Sequence, residues 1–206
     1  MQWIDISHVI DDNTPIFPGD YQTTLTPHKS IEADYYNAYL LQSCLHTGTH
    51  VDIPMHLVCD DRTVVDFALD GFAGNGVLLD VRGEVSIAMK PEYEYMIHEQ
   101  DIVLLFTGFD AKYTEAAYFE DHPVVSDELA NCLLAKKIKM LGMDMPAPDY
   151  PPFDFHKDLL RNGIFVLENL ANLQRLIGVD EFEVMAFPLK LRAEASFVRA
   201  VCRIGH

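Results

Sequence analysis

The chain has 206 residues, 49 % of them apolar, and a formal net charge of −17 at pH 7. This length and composition predict one globular domain, residues 1–206, with room for a sizeable core. The charge repels phosphate backbones and anionic lipid, which disfavours nucleic acid and membranes as partners. The apolar runs are too short to span a bilayer, and the N-terminus has neither a basic region nor an apolar signal core. We therefore expect a cytoplasmic protein.

The N-terminal segment combines a predicted strand with a proline-rich loop. Residues Trp3–Ile10 alternate well enough to form a strand, whereas Asp11–Asp20 contain two prolines and a glycine. Phe17 lies in this loop next to a proline. It is either a wall of a binding site or an apolar anchor that holds the loop to the core, and composition favours neither interpretation.

The next segment concentrates side chains that bind metal ions. A strand predicted over Tyr39–Leu45 runs directly into a stretch that holds three histidines and an aspartate within eleven residues: His46, His50, Asp52 and His56. In an extended chain alternate side chains share a face, so all four can project to one side. Imidazole and carboxylate together suit a divalent ion such as Zn²⁺ or Mn²⁺. This density of ionisable groups indicates a metal site.

Predicted strands outnumber predicted helices in the rest of the chain. The predicted strands are Gly76–Val81, Asp101–Thr107, Ile138–Met143, Ile164–Leu167, Glu183–Phe187 and Phe197–Ile204. Ser126 is expected to cap one helix, and Asp154 to cap a second that ends at Asn162-Gly163. A third, short helix is predicted over Glu168–Ile177. These elements favour a mixed α/β or α+β fold with a substantial sheet.

Two further candidate ligands lie far from the histidine-rich segment. His156 falls in the first turns of a predicted helix, and Glu168 closes the apolar strand Ile164–Leu167. A carboxylate at the end of a buried strand needs a compensating cation, because an unpaired buried charge costs several kcal/mol. A metal ion would supply it, but so would Arg161, Arg175 or a helix N-terminus.

Other polar residues carry weaker signals. The isolated histidines are interpreted as surface or core groups: His8, His28, His98, His122 and His206. The four cysteines form no C-x-x-C pair and are predicted to be free thiols. Asp144 and Asp149 either support the site by hydrogen bonds or serve as ordinary loop caps.

The segment His46-x-Gly48-Thr49-His50-x-Asp52-x-Pro54-x-His56 resembles the signature of the cyclase-like metal hydrolases, the family of bacterial kynurenine formamidase and isatin hydrolase. Weaker matches follow in the same order along the chain. They are Pro18-Gly19-Asp20, Thr107-Gly108, Gly142-Met143-Asp144, His156, Glu168-Asn169-Leu170, Pro188-Leu189 and Val198-Arg199-Ala200.

This resemblance implies a swivelling β/β/α-type domain with a central mixed sheet, assembled as a homodimer or higher oligomer. It also implies two divalent ions, zinc or manganese. The implied metal ligands are His46, His50 and Asp52 for one ion, and Asp52, His156 and Glu168 for the other. Asp52 would then bridge the two ions, and His56 would stay unliganded as the proton shuttle.

The expected function is hydrolysis of an amide C–N bond in a small aromatic substrate by a metal-activated hydroxide, with N-formylkynurenine as the first candidate. The formamidases typically carry Trp where this chain has Phe17, which keeps an apolar face but loses area and an N–H donor. The difference leaves the reaction class unchanged and weakens the substrate assignment. The alternatives are opening of a cyclic amide, as isatin hydrolase does, and a metal- or ligand-binding module without turnover.

Overall fold

The structure is a computed structural model that describes residues 1–205, so His206 lies outside the described residues. Its strands are β1 (Gln2–Asp5), β2 (Thr24–Lys29), β3 (Ala38–Gln42), β4 (His50–Asp52), β5 (Ala73–Asp80), β6 (Ser86–Ile87), β7 (Ile102–Phe106), β8 (Val124–Val125), β9 (Met140–Met143), β10 (Phe165–Glu168), β11 (Phe182–Met185), β12 (Ala195–Phe197) and β13 (Val201–Ile204). Its α-helices are α1 (Ile31–Asp34), α2 (Tyr93–Met96), α3 (Asp127–Lys136) and α4 (Asp154–Arg161). Short 3-10 helices cover Pro54–His56, Val64–Asp66, Leu69–Phe72, Phe109–Lys112, Ala116–Phe119 and Leu173–Leu176.

Nine strands form one mixed sheet in the order β1-β13-β11-β5-β7-β9-β10-β4-β12. The four strands from β5 to β10 in this order run parallel to one another. Strand β4 joins them antiparallel to β10, and β12 pairs antiparallel with the other edge of β4. The predicted mixed α/β fold with a central mixed sheet is therefore confirmed.

The central strands are buried on both faces, as strands of a parallel sheet usually are. All five residues of β7 are buried, and they alternate between two apolar clusters. Val103 and Leu105 pack with residues of α3 and α4, whereas Leu104 and Phe106 pack with residues of β1 and β11. The sheet is thus a rigid layer between two cores, and the polar cluster described below lies near one end of it. No helix among residues 1–205 is long and apolar enough to cross a membrane.

Four predicted elements were wrong in extent. The strand predicted over Tyr39–Leu45 is β3, which pairs with β2 in a separate hairpin and is followed by turns before β4. The predicted strand Phe197–Ile204 is interrupted and forms β12 and β13. The predicted helix Glu168–Ile177 is reduced to a 3-10 turn, because Glu168 itself belongs to β10. The strand predicted over Trp3–Ile10 ends early, at Asp5.

The helix ends follow the sequence predictions in part. Ser126 caps α3, since its hydroxyl accepts a hydrogen bond from the Leu129 N–H at 3.3 Å. Asp154 does not cap α4 and is instead its first residue. Asp149 takes the capping role, because its Oδ2 accepts a hydrogen bond from the Phe155 N–H at 2.9 Å. The predicted stop at Asn162-Gly163 is confirmed, with Gly163 at φ +72°.

Asp144 joins the ends of two neighbouring parallel strands. It follows β9 directly, and its Oδ1 accepts hydrogen bonds from the Thr107 N–H at 2.8 Å and the Thr107 hydroxyl at 2.5 Å. Its Oδ2 accepts from the Gly108 N–H at 2.8 Å. Burial raises the pKa of Asp144 to about 6 although these hydrogen bonds favour the carboxylate. Asp144 thus holds backbone N–H groups just after β7, whereas Asp149 holds one in the first turn of α4.

Candidate metal centre

Two strands and one helix carry the four buried members of the polar cluster. His50 and Asp52 are two residues apart in β4, so they project from the same face of the sheet. Glu168 ends β10 and lies directly opposite His50 in the antiparallel register. His156 is the third residue of α4 and is buried. The histidine-rich segment and the two distant candidates are therefore brought together, as the family resemblance implied.

Asp52 is the centre of the cluster and is fully buried. Its Oδ1 lies 2.9 Å from His46 Nδ1 and 3.4 Å from His50 Nε2. Its Oδ2 lies 3.3 Å from His156 Nε2 and 3.8 Å from His56 Nε2. His46, His50, Asp52 and His56 do not all project from one extended segment as expected, because His46 precedes β4 in a turn and His56 follows it in a 3-10 helix.

Glu168 completes a second group of ligand atoms. Its Oε2 lies 3.4 Å from His50 Nε2, and its Oε1 lies 3.7 Å from His156 Nδ1. Two sets of three residues have potential ligand atoms within 4.8 Å of one another: His46, His50 and Asp52, and Asp52, His156 and Glu168. Asp52 is common to both sets.

Several polar atoms of this cluster are buried without a hydrogen-bond partner among residues 1–205. They are His50 Nε2, both Asp52 oxygens, His156 Nε2 and Glu168 Oε1. Buried polar atoms in folded proteins are almost always paired, so a convergent group of unpaired atoms needs an explanation. Imidazole nitrogens and carboxylate oxygens are ligands that zinc and manganese accept. The residues present therefore fit a divalent metal.

A hydrogen-bond chain behind the cluster fixes the His50 ring. The carbonyl of Gly48 lies 2.8 Å from His50 Nδ1 and also accepts a hydrogen bond from Asn169 Nδ2 at 3.0 Å. Asn169 Oδ1 in turn accepts from the Tyr118 hydroxyl at 2.9 Å. A proton on Nδ1 of His50 leaves Nε2 free to face Asp52 and Glu168. Gly48 has φ +64°, which favours glycine at this position.

One neighbour of the cluster was not found from the sequence. Glu194 Oε1 lies 3.3 Å from His46 Nε2, and its side chain is partly exposed. This hydrogen bond from His46 lowers the pKa of Glu194 below its ordinary value. Glu194 lies far from the histidines in sequence, and only the pairing of β12 with β4 brings it to them.

The Asp52 carboxylate strongly affects the protonation of the histidines around it in the metal-free cluster. Burial opposes protonation of His46 and His50, but the Asp52 carboxylate overcomes it and raises their pKa values to about 11 and about 9. Burial would also raise the pKa of Asp52, yet the surrounding histidines hold it well below its ordinary value. His56 is different, because burial and the positive charges of neighbouring histidines lower its pKa to about 4 despite Asp52.

An aromatic cleft opens over the cluster, with a cavity volume of about 210 Å³. Its lining residues are Phe17, Asp20, His46, His56, Leu57, Phe119, Pro146, Ala147, Phe153, His156, Glu168 and Asn169. The Phe17 ring packs edge-on against Phe119 with ring centroids 5.7 Å apart. Phe17 therefore lies on the wall of the cleft and is anchored by an aromatic contact as well.

Comparisons with known proteins agree with this fold and cluster. A family model described as "Putative cyclase" matches residues 4–150. The kynurenine formamidase of Bacillus cereus is 32 % identical over 212 residues, covering 98 % of this chain and 97 % of that protein. The crystal structure of an isatin hydrolase bound to the product analogue thioisatinate matches with a TM-score of 0.87 and 22 % identity, covering 100 % of this chain and 93 % of that one. Isatin hydrolase A from Labrenzia aggregata matches with a TM-score of 0.85 and 21 % identity, covering 100 % and 94 %.

The site and the full-length relative at 32 % identity define the class: a hydrolase with a histidine–carboxylate cluster at the floor of a cleft. The chain belongs to the cyclase family. The resemblance stated from the sequence is thereby confirmed.

Metal binding should expel protons from the free protein. With pKa values of about 11 and about 9, His46 and His50 are protonated at pH 7, so an incoming ion must displace those protons. The apparent affinity for Zn²⁺ should therefore rise as the pH increases from 6 to 9. Calorimetry of the metal-free protein in buffers of different ionisation enthalpy would measure the protons released, with His28→Ala as a control at an exposed histidine. Binding without proton release, or affinity that falls with pH, would contradict this expectation.

Proposed function

We propose that this protein is a metal-dependent amidase that hydrolyses N-formylkynurenine to kynurenine and formate. The observation that carries the proposal is a pair of metal-ligand sets sharing Asp52 at the floor of an aromatic cleft. Full-length identity of 32 % to a kynurenine formamidase supports the choice of substrate. The cavity of about 210 Å³ lies below the roughly 300–1,000 Å³ of pockets for drug-sized ligands, which favours a substrate with one aromatic ring.

We assign His46, His50 and Asp52 to one divalent ion, and Asp52, His156 and Glu168 to a second. Zinc is our first candidate and manganese the second. Such a pair of ions, when bound, supplies Lewis acidity that polarises a carbonyl and lowers the pKa of water. Asp52 suits the shared position because it offers one oxygen to each set.

His56 is proposed as the proton shuttle, since it lines the cleft and belongs to neither ligand set. Burial and the neighbouring histidines lower the pKa of His56 to about 4. The ring is therefore neutral at pH 7, and its Nε2 can accept a proton from water as the carbonyl is attacked. The same proton then passes to the leaving aniline nitrogen when the C–N bond breaks. Phe17 and Phe119 line the cleft where the aromatic ring would pack.

Residues 1–206 are proposed to act as one catalytic domain, because both halves of the chain supply the cluster. All four cysteines are free, which fits a reducing compartment such as the cytoplasm. We further propose a homodimer, since the β2–β3 hairpin exposes an apolar edge: Tyr39 is 64 % exposed, Leu40 57 % and Leu41 44 %. Light scattering should give twice the chain mass of 23.4 kDa, and a monomer at micromolar concentration would contradict the dimer.

Replacement of His56 separates a shuttle from a metal ligand. His56→Ala should keep the metal content of the protein and reduce kcat by about 10²–10⁴-fold, the usual contribution of a positioned acid–base group. His50→Ala is the matched comparison and should lose metal together with activity. Elemental analysis and steady-state kinetics would measure both effects. Loss of metal from the His56 variant would identify that histidine as a ligand instead.

Substrate choice is tested by parallel assays with N-formylkynurenine, formanilide and isatin in the presence of Zn²⁺ or Mn²⁺. Turnover of the two formamides above that of isatin is expected. Ring opening of isatin as the faster reaction would favour the second candidate function, cyclic amide hydrolysis. The described residues lining the cleft include no tryptophan, which is compatible with that alternative. A protein that binds metal and hydrolyses none of the three would contradict the amidase assignment.

Phe17→Ala should raise KM for the formamides about 2–12-fold, because an aromatic contact is worth about 0.5–1.5 kcal/mol. Tyr95→Ala, at an exposed aromatic residue outside the cleft, is the control.

A further inference from the structure

The His46 ring lies between two carboxylates. Its Nδ1 is 2.9 Å from Asp52 Oδ1, inside the cluster, and its Nε2 is 3.3 Å from Glu194 Oε1, outside it. A neutral imidazole carries a proton on one nitrogen and a lone pair on the other. A proton held on Nε2 by Glu194 would leave the Nδ1 lone pair directed into the cluster.

The position of Glu194 is fixed by backbone pairing. Its carbonyl accepts a hydrogen bond from the Ile53 N–H at 3.2 Å, and the carbonyl of Ala193 accepts one from the Val64 N–H at 3.0 Å. The next residue, Ala195, begins β12 opposite Asp52 of β4. Glu194 therefore lies beside β4, the strand that carries His50 and Asp52. The backbone pairing alone places its side chain within reach of His46.

The two histidines of this ligand set have different outer partners. His50 Nδ1 faces the Gly48 carbonyl at 2.8 Å, whereas His46 Nε2 faces a carboxylate. A carboxylate orients an imidazole and also increases its basicity towards a metal ion. Glu194 is not among the residues lining the cleft, so its contact is with the ligand and not with the substrate space.

We propose that Glu194 is a positioning residue that holds His46 in the tautomer and orientation needed to bind a divalent ion through Nδ1. This inference deepens the proposed function and rests on its assignment of His46 as a ligand. Glu194 lies outside both ligand sets. Its removal should weaken the binding of one ion and leave the binding of the other unchanged.

The test is a calorimetric Zn²⁺ titration of the metal-free full chain, with Glu194→Ala, Glu194→Gln and the wild type compared at pH 7.5. Loss of an outer hydrogen-bond partner of a metal-binding histidine typically costs about 10–100-fold in affinity. One binding step should weaken by that factor in Glu194→Ala, and less in Glu194→Gln, which keeps a side-chain oxygen. The other step should be unchanged. Glu181→Gln makes the same change of charge at an exposed residue away from the cluster and should match the wild type.

A second readout follows the tautomer itself. In the zinc-loaded wild type, ¹⁵N NMR should show the His46 proton on Nε2, and this signal should change in Glu194→Ala. Equal weakening of both binding steps, or an effect of Glu181→Gln as large as that of Glu194→Gln, would overturn the inference. Either result would mean that Glu194 affects metal affinity only through its negative charge. Unchanged affinity with an unchanged tautomer would overturn it as well. A wild type that binds no metal would instead contradict the proposed function.

Discussion

The buried carboxylate of Asp52 is the interaction on which the site depends. It is fully buried, and both of its oxygens lack a hydrogen-bond partner among residues 1–205. An isolated charge in this environment would be costly, so the negative charge must be balanced by cations at short range. In the metal-free protein the balance comes from protons on His46 and His50, whose pKa values rise accordingly. Divalent ions can replace those protons, because the same nitrogen and oxygen atoms serve both.

The sheet explains how one carboxylate collects so many partners. Strand β4 is inserted between β10 and β12, which places Glu168 on one side and the loop carrying Glu194 on the other. The helix that supplies His156 packs against β10 in the same region. Because β4 contains only three residues, the chain turns immediately before and after it, and His46 and His56 can both approach Asp52. A longer strand would carry these two rings away from the carboxylate.

Local sequence patterns indicated the histidine-rich part of the cluster but not its distant members, which came from the family resemblance, nor its surroundings. The spacing of His46, His50, Asp52 and His56 indicates a metal site, because four such ionisable side chains within eleven residues are rare in a segment that only packs. Strand existence also followed from apolar runs, since parallel strands buried on both faces are continuous in hydrophobicity. Glu194 could not be found in this way, because its contact with His46 depends on strand pairing between distant parts of the chain. The same limit explains Tyr39–Leu45: its pattern predicts a strand but cannot say that its partner is β2.

The proposed function places selectivity and chemistry on different parts of this fold. The ligand sets lie on β4, β10 and α4, or in short turns beside β4, whereas the aromatic wall comes from the proline-rich loop with Phe17 and the 3-10 helix with Phe119. Strands of the central sheet are constrained by two apolar cores, so they change little without loss of stability. Loops tolerate substitution and can reshape the cleft while the carboxylate and imidazoles stay in place. The chain accordingly matches isatin hydrolases in fold at 22 % identity and a kynurenine formamidase at 32 % identity. What these proteins share is the scaffold, whereas the substrates in their names differ.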